Sequence, residues 1–287
     1  MEELGNNFLW FFGVVEDRND PLKVGRVRVR CYYWHTEDKA QLPTEKLPWA
    51  QVMMPPSSAS VGDVGTTATG LVEGSWVMGF FLDGRLAQKP MIMGSIPGIP
   101  FEKGSTQNGF VDPNGVYPKR VGEPDVNRLA RNQEDYLPTN PAIKDQGRTT
   151  NIADASGGLW SEPASAYNAT YPKNHVYESE RGHIFEVDDT EGSERIHQYH
   201  RSGTFFEIDK DGNKVTRVVG DNYEIVAGSD FVNIKGDANL TVDGALNIKA
   251  KSMNVDIEGD VTETIGGNQT TSITGNLDID AKRIDLN

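Results

Sequence analysis

Between residues 216 and 287 apolar and polar positions alternate, and a glycine returns every eighth residue. Gly220, Gly228, Gly236 and Gly244 form one run, and Gly259, Gly267 and Gly275 a second. The runs are fifteen residues apart, one short of two octads, with Lys251 and Ser252 near the missing position. Two residues before the glycines stand Val218, Val226, Ile234, Val242, Ile257, Ile265 and Ile273, all β-branched. Asp or Asn often follows the glycine, as at Asp221, Asp237, Asp260, Asn268 and Asn276. The alternation predicts short strands. Gly followed by Asp or Asn predicts a corner at each octad boundary, because glycine tolerates positive φ. Four residues after the glycine the second inward position holds Val232, Leu240, Ile248 and Ile279, but also Glu224, Glu263 and Thr271. Those polar groups must find partners inside.

One chain with a single β-branched residue per corner cannot build a core. Three chains wound together can, each supplying one face of a triangular prism and pairing its strand edges with the other two. About nine octads, each advancing roughly 4.8 Å, predict a rod of about 40 Å. The reading for residues 216–287 is therefore an octad-repeat, triple-stranded β-helix in a homotrimer, with the β-branched set as its axis and the seven glycines as its corners. A single-chain solenoid is the alternative, but its turns need longer repeats.

The rest of the chain also reads as all-β. Residues 8–15, 26–34, 48–55, 74–82 and 90–94 are short β-rich runs separated by turn residues such as Asp20-Pro21. Five such strands within residues 1–100 predict a small closed barrel of the OB type. Residues 101–175 are rich in Pro, Asn, Gly and charge, which predicts an extended linker lying along another surface, such as a neighbouring subunit, with one short helix over 126–136. Residues 176–215 read as a β-strand neck leading into the helix.

Charge narrows the function. Forty-two acidic side chains against 28 Lys and Arg leave −14 on 287 residues, which disfavours a nucleic-acid partner. The dense basic cluster, Lys23, Arg26, Arg28 and Arg30, alternates like one face of a strand, and is read as solvated or partner-facing. The single cysteine, Cys31, excludes an intrachain disulfide and fits synthesis in a reducing compartment. The N-terminus lacks the basic start of a signal peptide, and the apolar stretch at 8–15 is too short to span a bilayer. Of the five histidines, His197 and His200 lie three apart in a strand-rich region and face opposite ways, which argues against a shared metal. Asp209-Lys210-Asp211-Gly212-Asn213 starts like a calcium loop but lacks the remaining ligands, and reads as a hairpin turn. No phosphate-binding loop, zinc spacing or nucleophile elbow is present, and no cofactor, metal or catalytic residue is expected.

Six stretches in order carry a family resemblance. The first runs from Phe12 to Arg30 and reads Phe-Gly-Val-Val-Glu-Asp-Arg-Asn-Asp-Pro-Leu-Lys-Val-Gly-Arg-Val-Arg-Val-Arg. Leu42-Pro43-Thr44-Glu45-Lys46-Leu47-Pro48-Trp49 and the stretch from Gly109 to Arg120 follow. Then come the stretches from Ser179 to Arg195 and from His200 to Glu207, and finally the octads. Together they resemble the baseplate central spike of T4-like contractile-tailed bacteriophages, with the valine-glycine-repeat spike of type VI secretion a more distant cousin. The resemblance implies an OB-fold seated beneath a trimeric hub ring, with Trp10, Arg26, Arg28 and Arg30 as candidate hub contacts. It implies a β-helix pointing at the target cell, a separate small tip protein on its blunt C-terminal end, and passage through the outer membrane on sheath contraction. It places the protein in the virion tail baseplate, assembled in the host cytoplasm.

The T4-type spike carries a lysozyme domain between OB-fold and β-helix, and the linker here, about 70 residues, is too short for it. Asp189-Thr190-Glu191-Gly192 echoes a lysozyme tetrad but reads as a turn between strands. The expectation is thus a structural spike and not an enzyme. The rivals are a type VI-like or phage-derived injection spike, a degenerate cell-wall hydrolase with paired carboxylates in residues 101–175, and a glycan-binding fibre tip. The last would need distal aromatic platforms, and no aromatic residue follows Phe231.

Overall fold

The computed structural model describes residues 8–67, 70–104, 112–133 and 147–284. Among them there is no α-helix, and the chain is all-β. It divides into two compact units, residues 1–235 and 236–287.

Five strands open the chain: β1 (Leu9–Asp17), β2 (Val27–Cys31), β3 (Trp49–Val52), β4 (Trp76–Phe81) and β5 (Pro90–Ser95). They close into a barrel in the order β1-β2-β3-β5-β4, with β3 and β5 parallel and the other pairs antiparallel. This is the OB-type barrel expected from the five β-rich runs. Phe11, Val15, Val27, Val29, Cys31, Ala50, Val77, Phe81 and Ile92 fill it. β1 carries a bulge between Val15 and Asp17, and four consecutive residues from Gly13 to Glu16 are buried, Val15 in the barrel core and Glu16 against Arg30. Burial pushes the Cys31 thiol up, so it is an inert core side chain.

A second sheet follows as an antiparallel meander of β8 (Asn174–Glu178), β9 (Ile184–Asp188), β10 (Arg195–Tyr199), β11 (Phe205–Ile208) and β12 (Lys214–Arg217). The Asp189–Gly192 tetrad lies between β9 and β10, and Asp209 to Asn213 turns the β11–β12 hairpin, with the Asp209 carboxylate accepting from the backbone N–H groups of Asp211 and Asn213. Both are turns, as read from the sequence.

The linker departs from expectation in two ways. Residues 126–133 form turns, not a helix, and 134–136 lie outside the described residues. The described linker also packs on its own chain: Leu129 is fully buried in a second core with Ile184, Tyr199 and Phe205, against half-buried Tyr167. Tyr167 donates its hydroxyl to the Leu129 carbonyl at 2.6 Å. A two-stranded ribbon, β6 (Ile152–Ala153) with β7 (Leu159–Trp160), interrupts it. Buried Leu129 and Ala169 and bonds such as Asn127 to Glu178 and the Ala166 N–H to Glu207 seat a segment whose composition signals only turns.

Barrel and second sheet are joined at Glu180, in the β8–β9 loop. Arg18 grips it with two hydrogen bonds of 2.8 Å and also pairs with Glu73. Tyr117 donates to it at 2.7 Å. The Arg18 bonds first, then the Tyr117 bond, hold the Glu180 carboxyl down at about 2. Burial, helped by the Glu180 bond, pushes the Tyr117 phenol up to about 12.

From residue 218 to 284 the chain is extended and every residue is exposed. It bends at Gly220, Gly228, Gly236, Gly244, Gly259, Gly267 and Gly275, and also at Lys251, close to the missing glycine position.

Candidate functional site

The outer face of the barrel is the first candidate. On β1 and β4 the residues that alternate with the core point outward: Trp10 lies opposite Phe80 and Phe12 opposite Met78. Phe8, Trp10, Phe12 and Trp76 are exposed. Phe8 meets the Trp10 edge at 4.7 Å and the Phe80 ring at 4.7 Å, and Tyr32 stacks on Trp76 at 5.4 Å. Sequence reading singled out Trp10 and missed Phe8, Phe12, Trp76 and Phe80. The signal was present, since Phe8, Trp10 and Phe12 alternate with Leu9 and Phe11 in one strand. An unbroken apolar run hides which half faces out.

The arginines are placed differently from expectation. Arg30 is fully buried, pairing with Glu16 at 2.7 Å and donating to the Thr36 and Leu42 carbonyls. It cannot meet a partner and leaves the contact set. Arg28 donates to the carbonyls of Thr44, Glu45 and Leu47 while its guanidinium lies 4.4 Å from the Trp49 ring centre. Arg26 pairs with Asp20 at 2.7 Å and flanks the same ring. The Arg26 bond holds the Asp20 carboxyl far below the usual carboxylate range. The three arginines therefore tie β2 to the loop over 36–49 and are not a solvated face. Their acids, Glu16, Asp17 and Asp20, stand on or just after β1, the antiparallel neighbour of β2. That pairing, once seen, was the available clue.

The covered face of the second sheet holds a buried ionic cluster. Arg195 donates to Glu186 and to Glu207, each at 2.7 Å. His197 Nδ1 and Asn174 Nδ2 also meet Glu186, at 2.8 and 2.9 Å. Burial works to raise the Glu186 carboxyl, but the His197 bond and the Arg195 charge outweigh it and hold it below its ordinary value. Arg195 is raised in turn, as its two carboxylates overcome the cost of burial. Glu207 also accepts from Ser165 and the Ala166 N–H. His200 lies beyond β10, exposed against His183, with the rings 4.5 Å apart. His197 is buried and His200 exposed, so these two face apart, as expected.

A broad cleft of about 1150 Å³ runs beside Trp76, Tyr117, Glu123, Arg128 and Glu180. Two of its carboxylates are ion-paired: Glu123 with Arg128 and Arg131, and Glu180 with Arg18, which Tyr117 also bonds. Among the described residues no group of three His, Cys, Asp or Glu side chains could hold a metal ion.

In the octads the single chain leaves Val218, Val226, Ile234, Val242, Ile257, Ile265 and Ile273 exposed. The seven corner glycines do not use positive φ, contrary to the expected reason for their presence. A Cβ built on any of them meets nothing within 4 Å in the single chain.

The Gp5 N-terminal OB domain profile matches residues 33–198, more than half of the chain. The chain belongs to this family. It is similar to Protein Gp5 of Vibrio phage KVP40, 41% identical over 276 residues that cover 83% of this chain and 64% of that protein. It is also similar to the pre-baseplate central spike protein Gp5 of Enterobacteria phage T4. That match is 44% identical over 158 residues, 53% of this chain and 27% of the T4 protein. The chain therefore spans less than two thirds of the length of either relative. The family bears out both the resemblance to T4-like spikes and the OB assignment of the barrel.

Proposed function

We propose that this chain is the central spike of a contractile phage-tail baseplate, acting mechanically as a homotrimer. The observation that carries this is the stretch from 218 to 284. It bends at each corner glycine, is β-branched two residues before each of those glycines, and is exposed throughout a single chain. Unpaired edges and bare β-branched residues over that length need other strands. Three intertwined copies supply them, with the seven β-branched residues on the axis. Crowding of strands at the corners then explains the glycines better than their φ angles do. A prism whose backbone bonds are all paired transmits axial force, and its acidic coat disfavours arrest on anionic surfaces.

The name of the T4 relative, a pre-baseplate central spike protein, supports a place in the virion baseplate, and we place its assembly in the host cytoplasm. The exposed aromatic face around Trp10 is the best surface for the trimeric hub ring, now with Phe8, Phe12, Trp76 and Phe80 in place of Arg30. The far end of the prism is the seat for a small tip protein, and the target-cell outer membrane is met in passing. Nothing favours the hydrolase reading over the spike: Glu123 and Glu180 in the cleft are ion-paired, and the buried pair, Glu186 and Glu207, clamps Arg195 under cover.

Native mass in solution, with an unboiled sample on an SDS gel, tests the proposal. A mass of three chains that resists SDS supports it. A stable monomer overturns it and favours a single-chain solenoid that binds a partner.

A further inference from the structure

The β9–β10 register pairs Ile184 with Tyr199. One step further, His183, just before β9, stands opposite His200, just after β10. Neither backbone N–H bonds to the other residue: the His183 N–H goes to Ser179 Oγ at 3.0 Å and the His200 N–H to the Thr204 carbonyl at 2.8 Å. A cross-strand pair of that kind is the narrow one, with Cα atoms about 4.5 Å apart and side chains at their closest. Ile184 and Tyr199 are buried on the covered face, so alternation turns both imidazoles to the other face, His183 half-buried and His200 exposed.

The ring centres are 4.5 Å apart and the planes are tilted by 45°. A metal ion about 2.0–2.1 Å from one nitrogen of each imidazole lies about 3.2 Å from each ring centre. Two such ligands in neighbouring coordination positions, at about 90–110°, put the ring centres about 4.5–5.2 Å apart. The spacing found here meets the short end of that span, so the rings need almost no movement to share one ion. Ser202 fixes one of them: its hydroxyl lies 2.8 Å from His200 Nδ1, and its N–H meets the same nitrogen at 3.2 Å. With Nδ1 engaged, Nε2 is the nitrogen left for a metal. Metal on Nε2 puts the ring proton on Nδ1, where the Ser202 hydroxyl accepts it, the outer bond that orients a ligating imidazole. Among the described residues no carboxylate holds either ring, whereas His175 lies 3.7 Å from Asp189 and His197 is bound to Glu186.

We propose that His183 and His200 together bind a divalent transition-metal ion such as Zn2+, Cu2+ or Ni2+, and so staple β9 to β10. Imidazole nitrogen selects these ions over Mg2+ and Ca2+, which take oxygen ligands. The two side chains are the protein's share of the site, and water fills the remaining positions. The site lies within one chain and does not rest on the three-chain reading.

The test is calorimetric titration of the full-length protein with Zn2+, beside the EPR spectrum of the same protein with one equivalent of Cu2+. The expected result is saturable binding of one Zn2+ per chain, weakened about tenfold or more by His183→Gln and by His200→Gln and unchanged in His175→Gln. Zn2+ should raise the melting temperature of the unaltered chain and not of the first two variants, because an ion that binds only the folded form stabilises it. The Cu2+ spectrum should show coupling to two nitrogens in the unaltered chain. Zn2+ binding of unchanged strength in both His183→Gln and His200→Gln overturns the inference, as does the lack of saturable binding. Loss of binding in His175→Gln alone moves the ion to the Asp189 side and overturns it too. Where a Gln variant loses its native circular dichroism, the Cu2+ spectrum of the unaltered chain decides: two coupled nitrogens support the site, and fewer overturn it.

Discussion

Arg195 carries two carboxylates on one guanidinium, and water reaches none of the three groups to a useful degree. Removing one partner of such a cluster leaves an uncompensated buried charge, at a cost of about 3–5 kcal/mol. Glu186→Ala should lower the unfolding free energy by about that amount at neutral pH, read by chemical denaturation at fixed protein concentration. The same carboxyl sets an acid limit. Its folded pKa lies below the unfolded value, so its stabilisation is present above the ordinary Glu range near 4.3 and is lost as pH falls through the depressed folded value. A melting-temperature profile should fall below about pH 4.3, and the Glu186→Gln profile should fall less steeply. An unchanged slope in that variant would remove Glu186 as the cause. Gly79 shows the opposite economy of space: a Cβ there would overlap the Met91 carbonyl oxygen and press the Phe11 ring at 2.7 Å. Gly79→Ala should destabilise the barrel by about 1–3 kcal/mol or more in the same denaturation assay.

At the scale of elements, legibility followed hydrogen-bond range. The barrel strands were readable because turn residues separate β-rich runs, and each strand needs little more than its own pattern to be placed. The arginines of β2 were misread because their partners are cross-strand. Alternation shows that Arg26, Arg28 and Arg30 share a face, but not that Glu16, Asp17 and Asp20 wait beside it. The covered face of the second sheet was illegible for a related reason: polar residues in strands normally mark the solvent side, yet here Glu186, Arg195, His197 and Glu207 are buried beside Ile184, Tyr199 and Phe205. The octads were legible as a repeat, yet their corner glycines do not take the positive φ that was expected of them. Their periodicity is testable as an element. Deleting residues 229–236 removes one octad and keeps both alternation and corner spacing. That variant should still assemble, with a rod shorter by about one strand spacing of 4.8 Å. Deleting residues 229–232 places Gly236 four residues after Gly228 and brings a corner where the neighbouring strand is straight. It should lose SDS resistance on an unboiled gel. Equal behaviour of the two deletions would show that the period of eight is incidental.

For the whole molecule, the proposed three-fold assembly would multiply every axial substitution. Ile265 stands two residues before Gly267 and is 44% exposed in one chain, where a charge would cost little. On a prism axis the same change places three carboxylates within a few ångströms of each other, without water or a cation to compensate them. Ile265→Asp should therefore block trimer formation, observed as a monomeric native mass and loss of SDS resistance. The neutral Ile265→Asn separates charge from polarity and should weaken the trimer without abolishing it. Ile265→Val removes one methylene per chain. At about 0.5–1.5 kcal/mol each it should cost the trimer roughly three times as much while leaving it assembled. The barrel gives an internal control, because its core, from Phe11 to Ile92, closes within one chain. Its circular dichroism should be the same in all three variants. A normal trimer from Ile265→Asp, at the mass of the unaltered protein, would place residue 265 outside the axis and dismantle the prism assignment from its centre.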